Sequence, residues 1–343
     1  MALIDEINEQ PAVVERLLGT LPDRLRPLVR NVRRSGIEHV LIAARGSSDH
    51  TAVYAQYAIG AIGRMPVALA TPSLFSRYRQ PPRLGRTLVI GISQSGRSPD
   101  VVSVLAEGNR QGALTLAVTN DPGSPLAGAA FSVIELGAGP ELSVAATKTY
   151  TAQLATVATL AAALGELPAA GWRDLRRVPE TMASALLSSD AALGMAREAS
   201  DMTECVVLGR GFNLATALEW ALKLKELAAV HAQAYSAADY EHGPMASFAA
   251  GDHVLAVMAH GPLEPDIERL VTRLMADRGA PALVVGERAV GGAGWLSFPD
   301  RLPEWLSPLV AILPAQLFTA GLTEAKGLDV EHPRGLRKVT LTS

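Results

Sequence analysis

Between Ala217 and Pro244 the chain reads ALEWALKLKELAAVHAQAYSAADYEHGP. Glu219 and Lys223 are spaced i,i+4 and Lys223 and Glu226 i,i+3, so on a helix the three share one face, while Lys225 points away. A carboxylate paired with a lysine in an apolar setting can take a proton from a carbon beside a carbonyl. The cation then steadies the charge that develops on oxygen. The same spacing also fits an ordinary surface ladder of ion pairs, each worth roughly 0.3–0.5 kcal/mol. His242 ends the stretch in His-Gly-Pro and could serve as an acid/base titrating near neutrality. A capping or core role is the alternative for it, as for His231, His253 and His260.

Two loops supply a different chemistry. ARGSSDH carries Ser47 and Ser48, and GISQSGRSPD carries Ser93, Gln94, Ser95 and Ser98. Hydroxyls, an amide and backbone N–H groups at a helix start can hold a phosphate, with Gly46 and Gly96 letting the backbone approach. Ser98-Pro99-Asp100 reads as N-cap, N1 and N2 of a helix. The plainer reading is that these are turn and cap residues. Arg45 could meet a phosphate, but its counterpart Arg210 in the second half points to a structural role. Neither loop is G-x-G-x-x-G and no G-x-x-x-x-G-K-[ST] occurs, so dinucleotides and nucleoside triphosphates are not favoured. No His/Asp/Glu set has metal-ligand spacing, and no metal or cofactor is expected.

The elements that must carry these residues alternate. HVLIAARG, RTLVIGIS and LTLAVTN read as buried strands, and helical patterns follow the first two. The order returns in CVVLGRG, ATALEWALKLKELAAV, HVLAVMAHG, PDIERLVTRLMADRG and ALVVGE. Arg45-Gly46 and Arg210-Gly211 lie 165 residues apart, and Pro99-Asp100 and Pro265-Asp266 lie 166 apart. This repeat predicts an α/β protein of two tandem domains, each a mostly parallel, doubly wound sheet between helices. The Pro- and Gly-bearing stretch from Leu164 to Glu180 fits the connection, giving domains 1–175 and 176–343. In such sheets ligands bind beyond the carboxyl ends of the strands, where both hydroxyl-rich loops fall.

Composition narrows the partners. A net charge of −3 offers no basic field for nucleic acid or an anionic membrane, so a bound phosphate must be held by local geometry. Cys205 is the single cysteine and lies in an apparent buried strand, where an inert thiol is expected. The acidic, amphipathic start MALIDEINEQPAVVERLL is unlike a signal peptide. Thr149–Gly165 is short for a membrane span, and Trp305–Thr323 is interrupted by Pro308 and Pro314. Both read as buried core or interface helices of a soluble, cytoplasmic protein.

Seven ordered motifs make the chain resemble the sugar isomerase (SIS) family with tandem domains. They are EINEQP, RGSS, SQSGRS, ELSVAATKTYTAQL, ALEWALKLKE, AYSAADYEHGP and the terminal HPRGLRKVT. The match is similar nearly end to end to the isomerase half of glucosamine-6-phosphate synthase. The resemblance implies a homodimer acting on a small sugar phosphate, with the site completed across the interface. Ser47, Ser48, Ser93, Gln94, Ser95 and Ser98, with Val144 and Ala146, would hold the phosphate and part of the sugar. Glu226 would move a proton between C1 and C2, and His242 would open the ring. Lys338 would engage the carbonyl as a Schiff base, with Lys223 and Glu219 around the open-chain sugar.

Departures from that pattern redirect the expectation. No glutaminase half with an N-terminal cysteine is seen, so ammonia from glutamine is not expected. Free ammonia is dilute, and release of ammonia is favoured, as in SIS-type glucosamine-6-phosphate deaminases. Asp49 replaces an aromatic, Ala146 a serine, and Glu241 a lysine, which leaves the amino sugar open. A deglycase acting on fructosamine 6-phosphates, an ammonia-dependent aminotransferase of the same family, and a non-catalytic sugar-phosphate sensor are the alternatives.

Overall fold

The computed structural model describes residues 2–299 and 302–338. The chain divides into two compact units. The N-terminal unit holds Ala12–Glu141, Lys148–Arg176 and, from the tail, Arg337 and Lys338; the C-terminal unit holds the chain up to Pro11, Leu142–Thr147 and Arg177–Leu336. Helices α1 (Ala2–Leu18) and α8 (Ala169–Ala185) contribute residues to both.

In the N-terminal unit α2 (Leu21–Arg34) precedes β1 (His39–Ala43), α3 (Ser47–Ala61), β2 (Val67–Leu69) and α4 (Pro72–Ser76). Then come β3 (Thr87–Ile92), α5 (Pro99–Arg110), β4 (Leu114–Thr119), α6 (Pro125–Gly128), β5 (Ser132–Glu135) and α7 (Lys148–Leu164). The strands form one parallel sheet in the order β2-β1-β3-β4-β5. Strand β3, TLVIGI, is buried along its whole length, which is why it is a continuous apolar run. Val89, Val104, Leu105 and Leu126 pack between this sheet and its helices.

The C-terminal unit repeats the plan. After α9 (Ser189–Glu198) come β6 (Glu204–Gly209), α10 (Leu214–Leu227), β7 (His231–Ser236) and α11 (Ala237–Glu241). They are followed by β8 (His253–Met258), α12 (Glu264–Arg278), β9 (Ala282–Gly286), β10 (Gly294–Ser297) and α13 (Pro308–Ala325). Its parallel sheet runs β7-β6-β8-β9-β10. Counted within each unit, both sheets have the second strand outside the first and the third on its other side. The repeat read from sequence is therefore a repeat of doubly wound topology, with the order reversing between β1 and β3 and between β6 and β8.

The paired Arg-Gly and Pro-Asp motifs explain each other. Arg45 after β1 pairs with Asp100 in the first turn of α5 at 2.7 Å, and Arg210 after β6 pairs with Asp266 in the first turn of α12. Each bond ties the loop after one central strand to the helix after the next. Arg45 is thus committed to Asp100, in line with the structural role its counterpart suggested.

Most of the Leu164–Glu180 stretch is helical, since α8 begins at Ala169 and continues through Pro179, and the two units divide inside it, between Arg176 and Arg177. Pro314 does not break α13 either, although an interior proline costs about 3 kcal/mol. Residues on every face of α13 are buried, and that packing outweighs the lost hydrogen bond. Its 18 residues are long and apolar enough to span a membrane, but 89% of them are buried inside the fold, as in a core helix. Cys205 is buried in β6, and burial pushes its thiol up to about 12, consistent with an inert residue.

Candidate active site

The hydroxyl-rich loops leave the carboxyl ends of β1 and β3, on either side of the point where the strand order reverses. After β1, Gly46 adopts φ 57° and ψ −134°, open to glycine, and Ser47 begins α3. Ser48 is buried, and its Oγ accepts a hydrogen bond from Gln153 Nε2 of α7 at 3.0 Å. Thr51 Oγ1 donates to Gln153 Oε1 at 3.2 Å, so α3 and α7 lock this loop together. Asp49 is half-buried in the same turn. Burial, opposed by the charges of His50 and Arg45, holds its carboxyl above the usual range.

After β3, Ser93 Oγ accepts from Gly96 N at 3.1 Å, and Ser95 Oγ accepts from Arg97 N at 3.3 Å. The Gln94 carbonyl accepts from Asn120 N at 3.0 Å, and the Gln94 side chain is half-buried. Gly96 has φ 62°, and a Cβ there would stand 2.1 Å from Ser124 Oγ. Ser98 occupies the N-cap of α5 and Pro99 its first position, as the sequence predicts. The hydroxyl, however, does not cap the helix. Ser98 Oγ is buried and makes no hydrogen bond among the described residues. Such an orphan carries a desolvation cost until a partner arrives, and at a helix N-terminus a phosphate oxygen is a fitting one.

Lys338 joins this unit through a residue to which sequence reasoning gave no role. Its Nζ donates to Glu141 Oε2 at 3.0 Å, and the Glu141 side chain is wholly buried. Thr149, at the start of α7, fixes that carboxylate further, donating from N to Oε1 at 3.0 Å and from Oγ1 to Oε2 at 2.8 Å. An acid opening an otherwise uncharged run, ELSVAA, was the available signal.

The candidate acid/base residues Glu219, Lys223 and Glu226 stand on α10 of the C-terminal unit. Lys223 Nζ lies 2.5 Å from Glu226 Oε2 and 3.4 Å from Glu219 Oε1. Lys223 and Glu219 are fully buried, while the Glu226 side chain keeps 23% of its surface exposed. This excludes the surface ladder. Burial alone would push Lys223 down, but the charges and hydrogen bonds of Glu219 and Glu226 outweigh it and hold the ammonium above its ordinary range. The partly open Glu226 is the member of the set that a substrate can reach. His242 is exposed at the C-cap of α11, and no hydrogen bond joins it to the α10 set among the described residues.

Val144 and Ala146 are half-buried in the Leu142–Thr147 segment. Glu6 of the EINEQP motif anchors that segment, its Oε1 accepting from Leu142 N and from Ser143 N. A buried Gln10–Gln316 hydrogen bond of 2.7 Å holds α1 to α13. The corresponding loops of the second sheet look different. There His260 Nδ1 lies 3.1 Å from Glu264, Arg288 binds Glu264 and Glu268, and Glu304 fills the space beside Gly261. The acids in these loops disfavour an anion, whereas the β1 and β3 loops offer hydroxyls.

The SIS domain family profile matches residues 35–163 and 200–288, each centred on one sheet. The chain belongs to the SIS domain family. Over 98% of its length this SIS chain is 32% identical to a glutamine–fructose-6-phosphate aminotransferase (isomerizing) of Clostridium perfringens, covering 58% of that protein. It is 34% identical to the one from Methanothermobacter thermautotrophicus over 98% of its own length and 56% of the other. The chain therefore spans about half the length of the curated relatives it matches. Among solved structures it superposes on a candidate phosphosugar isomerase of Silicibacter pomeroyi with a TM-score of 0.86 and 35% identity. That match covers 96% of this chain and 99% of the other. The C-terminal domain of the Francisella tularensis glucosamine-fructose-6-phosphate aminotransferase superposes with a TM-score of 0.88 and 25% identity, covering 97% and 98%. Two parallel sheets in tandem SIS domains are the architecture expected from sequence.

Proposed function

We propose that this SIS protein is an aminosugar-phosphate deaminase/isomerase that converts glucosamine 6-phosphate and water to fructose 6-phosphate and ammonia. The observation that carries the reading is the buried Lys223 ammonium held between Glu219 and the partly open Glu226. A buried cation beside a reachable carboxylate is the pairing that proton transfer next to a carbonyl demands. The relatives named as isomerizing fructose-6-phosphate aminotransferases support a substrate of this class.

In this reading the phosphate is taken by Ser47, Ser48, Ser93, Gln94, Ser95 and Ser98, with the orphaned Ser98 hydroxyl gaining its partner. Val144 and Ala146 line the sugar. His242 of a second copy opens the ring, making the working unit a cytoplasmic homodimer. Glu226 removes the C2 proton of the open-chain aldehyde and returns it at C1, while Lys223 stabilises the charge on oxygen. The product is an imine at C2. Lys338 passes a proton to Glu141, attacks C2 and expels ammonia, and water then releases the ketose from the Schiff base. Asp49 suits the amino group of the substrate as a nearby carboxylate. Ammonia leaves rather than adds because free ammonia is dilute.

The test is ammonia release from glucosamine 6-phosphate by the purified protein, with Glu226→Gln expected to lower turnover at least a thousandfold while retaining substrate binding. Turnover of fructosamine 6-phosphates alone would establish the deglycase instead. Binding without turnover of either compound would make the protein a sensor.

A further inference from the structure

A cavity of about 660 Å³ opens in the N-terminal unit between α2, the end of α7 and the start of α8. Five arginines line it, Arg26, Arg30, Arg33, Arg34 and Arg176, against the single carboxylate of Glu166, and Trp172 lies half-buried among them. In a chain of net charge −3 this is a strong local reversal of sign.

Folding uses some of these charges. Arg33 binds Glu166 at 3.0 Å and the Ala163 carbonyl at 3.1 Å, clipping α2 to the end of α7, and Arg26 binds Asp23 at 2.6 Å. Arg30, Arg34 and Arg176 make no ion pair or side-chain hydrogen bond among the described residues. Arg26, Arg30 and Arg33 fall at i, i+4 and i+7, on one face of α2, where like charges oppose helix formation. Arg33 and Arg34 in the last turn are favoured by the helix dipole, but Arg30 in the helix interior is not. The fold therefore gathers five like charges at this spot and, among the described residues, pairs only Arg26 and Arg33 of them.

We propose that the cavity binds an organic anion with at least two phosphate charges and a flat ring, the chemical class of nucleoside diphosphates. Guanidinium groups grip phosphate oxygens in a planar fork and are more weakly hydrated than ammonium groups, and every cation here is arginine. Trp172 supplies an aromatic surface against which a ring can stack. The volume falls within the roughly 300–1,000 Å³ range of small-molecule sites, which favours a compact ligand over an acidic protein segment. The site is separate from the hydroxyl-rich loops. Helix α7 meets Glu141 at Thr149 and the cavity at Ala162 and Ala163, about 20 Å further along its axis.

Calorimetric titration of the purified chain at physiological salt tests this, with ADP and inorganic pyrophosphate as probes. Saturable one-to-one binding of ADP is expected, unaffected by saturating glucosamine 6-phosphate. Replacing Arg30→Ala and Arg176→Ala together should weaken both probes at least tenfold. Trp172→Ala should weaken ADP several-fold and leave pyrophosphate unchanged. Arg30 and Arg176 are exposed, and unchanged thermal unfolding of their variants would exclude a folding defect. No saturable binding, binding displaced by glucosamine 6-phosphate, or binding unchanged in the arginine variants would each overturn the proposal. So would variant-sensitive binding of a polyglutamate peptide with none of ADP.

Discussion

At the scale of single residues, two lysines do opposite things with their carboxylates. Lys338 keeps 27% of its side-chain surface and donates to the buried Glu141, which Thr149 helps fix in place. Glu141→Gln removes the charge that aims the amine and leaves the hydroxyl-rich loops untouched. Turnover should fall roughly a hundredfold with little change in KM, and borohydride trapping of the ketose phosphate on the protein should fall in parallel. Full trapping in the variant would remove Glu141 from the mechanism. Lys223 is wholly buried, so Lys223→Met removes the cation between Glu219 and Glu226 from the core and should destabilise the unit by about 3–5 kcal/mol in urea unfolding. The sign of the pH dependence follows from the raised ammonium. Its stabilisation is complete below the ordinary lysine value of 10.5 and is lost as pH rises through the higher folded value. The stability gap between wild type and variant should stay constant up to about pH 10.5 and shrink above it. A gap that stays flat through the alkaline range would show that Lys223 is not the titrating group.

At the scale of elements, the central strands were legible because β3, β4, β6 and β8 are nearly continuous apolar runs. The edge strands were not. β2 has three residues, none of them buried, and β5, β7 and β10 alternate or trail into exposed positions, which makes them look like loop. The two Arg–Asp ties were half-visible as paired motifs, since repetition exposed them without saying what they bound. Loop chemistry was readable from residue type, but the loose end at Ser98 was not, because an N-cap serine and an orphaned one share the same sequence. Nor could local pattern find Glu141 for Lys338, 197 residues away. Gly96 is where loop shape and function meet. Gly96→Ala places a Cβ 2.1 Å from Ser124 Oγ and 3.0 Å from Thr119 Oγ1 at φ 62°. The change should cost about 1–3 kcal/mol of stability and raise KM for the sugar phosphate at least tenfold, while kcat changes less. An unchanged KM would argue that the β3 loop does not carry the phosphate.

At the scale of the whole molecule, the tandem repeat has given its two halves different work. The first sheet carries hydroxyl-rich loops and, through Glu141, the tail lysine; the second carries the α10 set and loops crowded with acids. In the proposed function a duplicated fold needs only one anion-binding loop pair once its other copy is free to specialise. His242 is exposed, and in the proposed function it serves a neighbouring copy. Separate His242→Ala and Glu226→Gln proteins should each be nearly inactive. Mixed, they should form heterodimers in which one site of the two has both residues intact, recovering about a quarter of wild-type activity at equal subunit ratio, because half of the dimers are mixed and each then has one working site of two. Activity that stays at background in heterodimers isolated by two affinity tags would show that His242 serves its own chain or none.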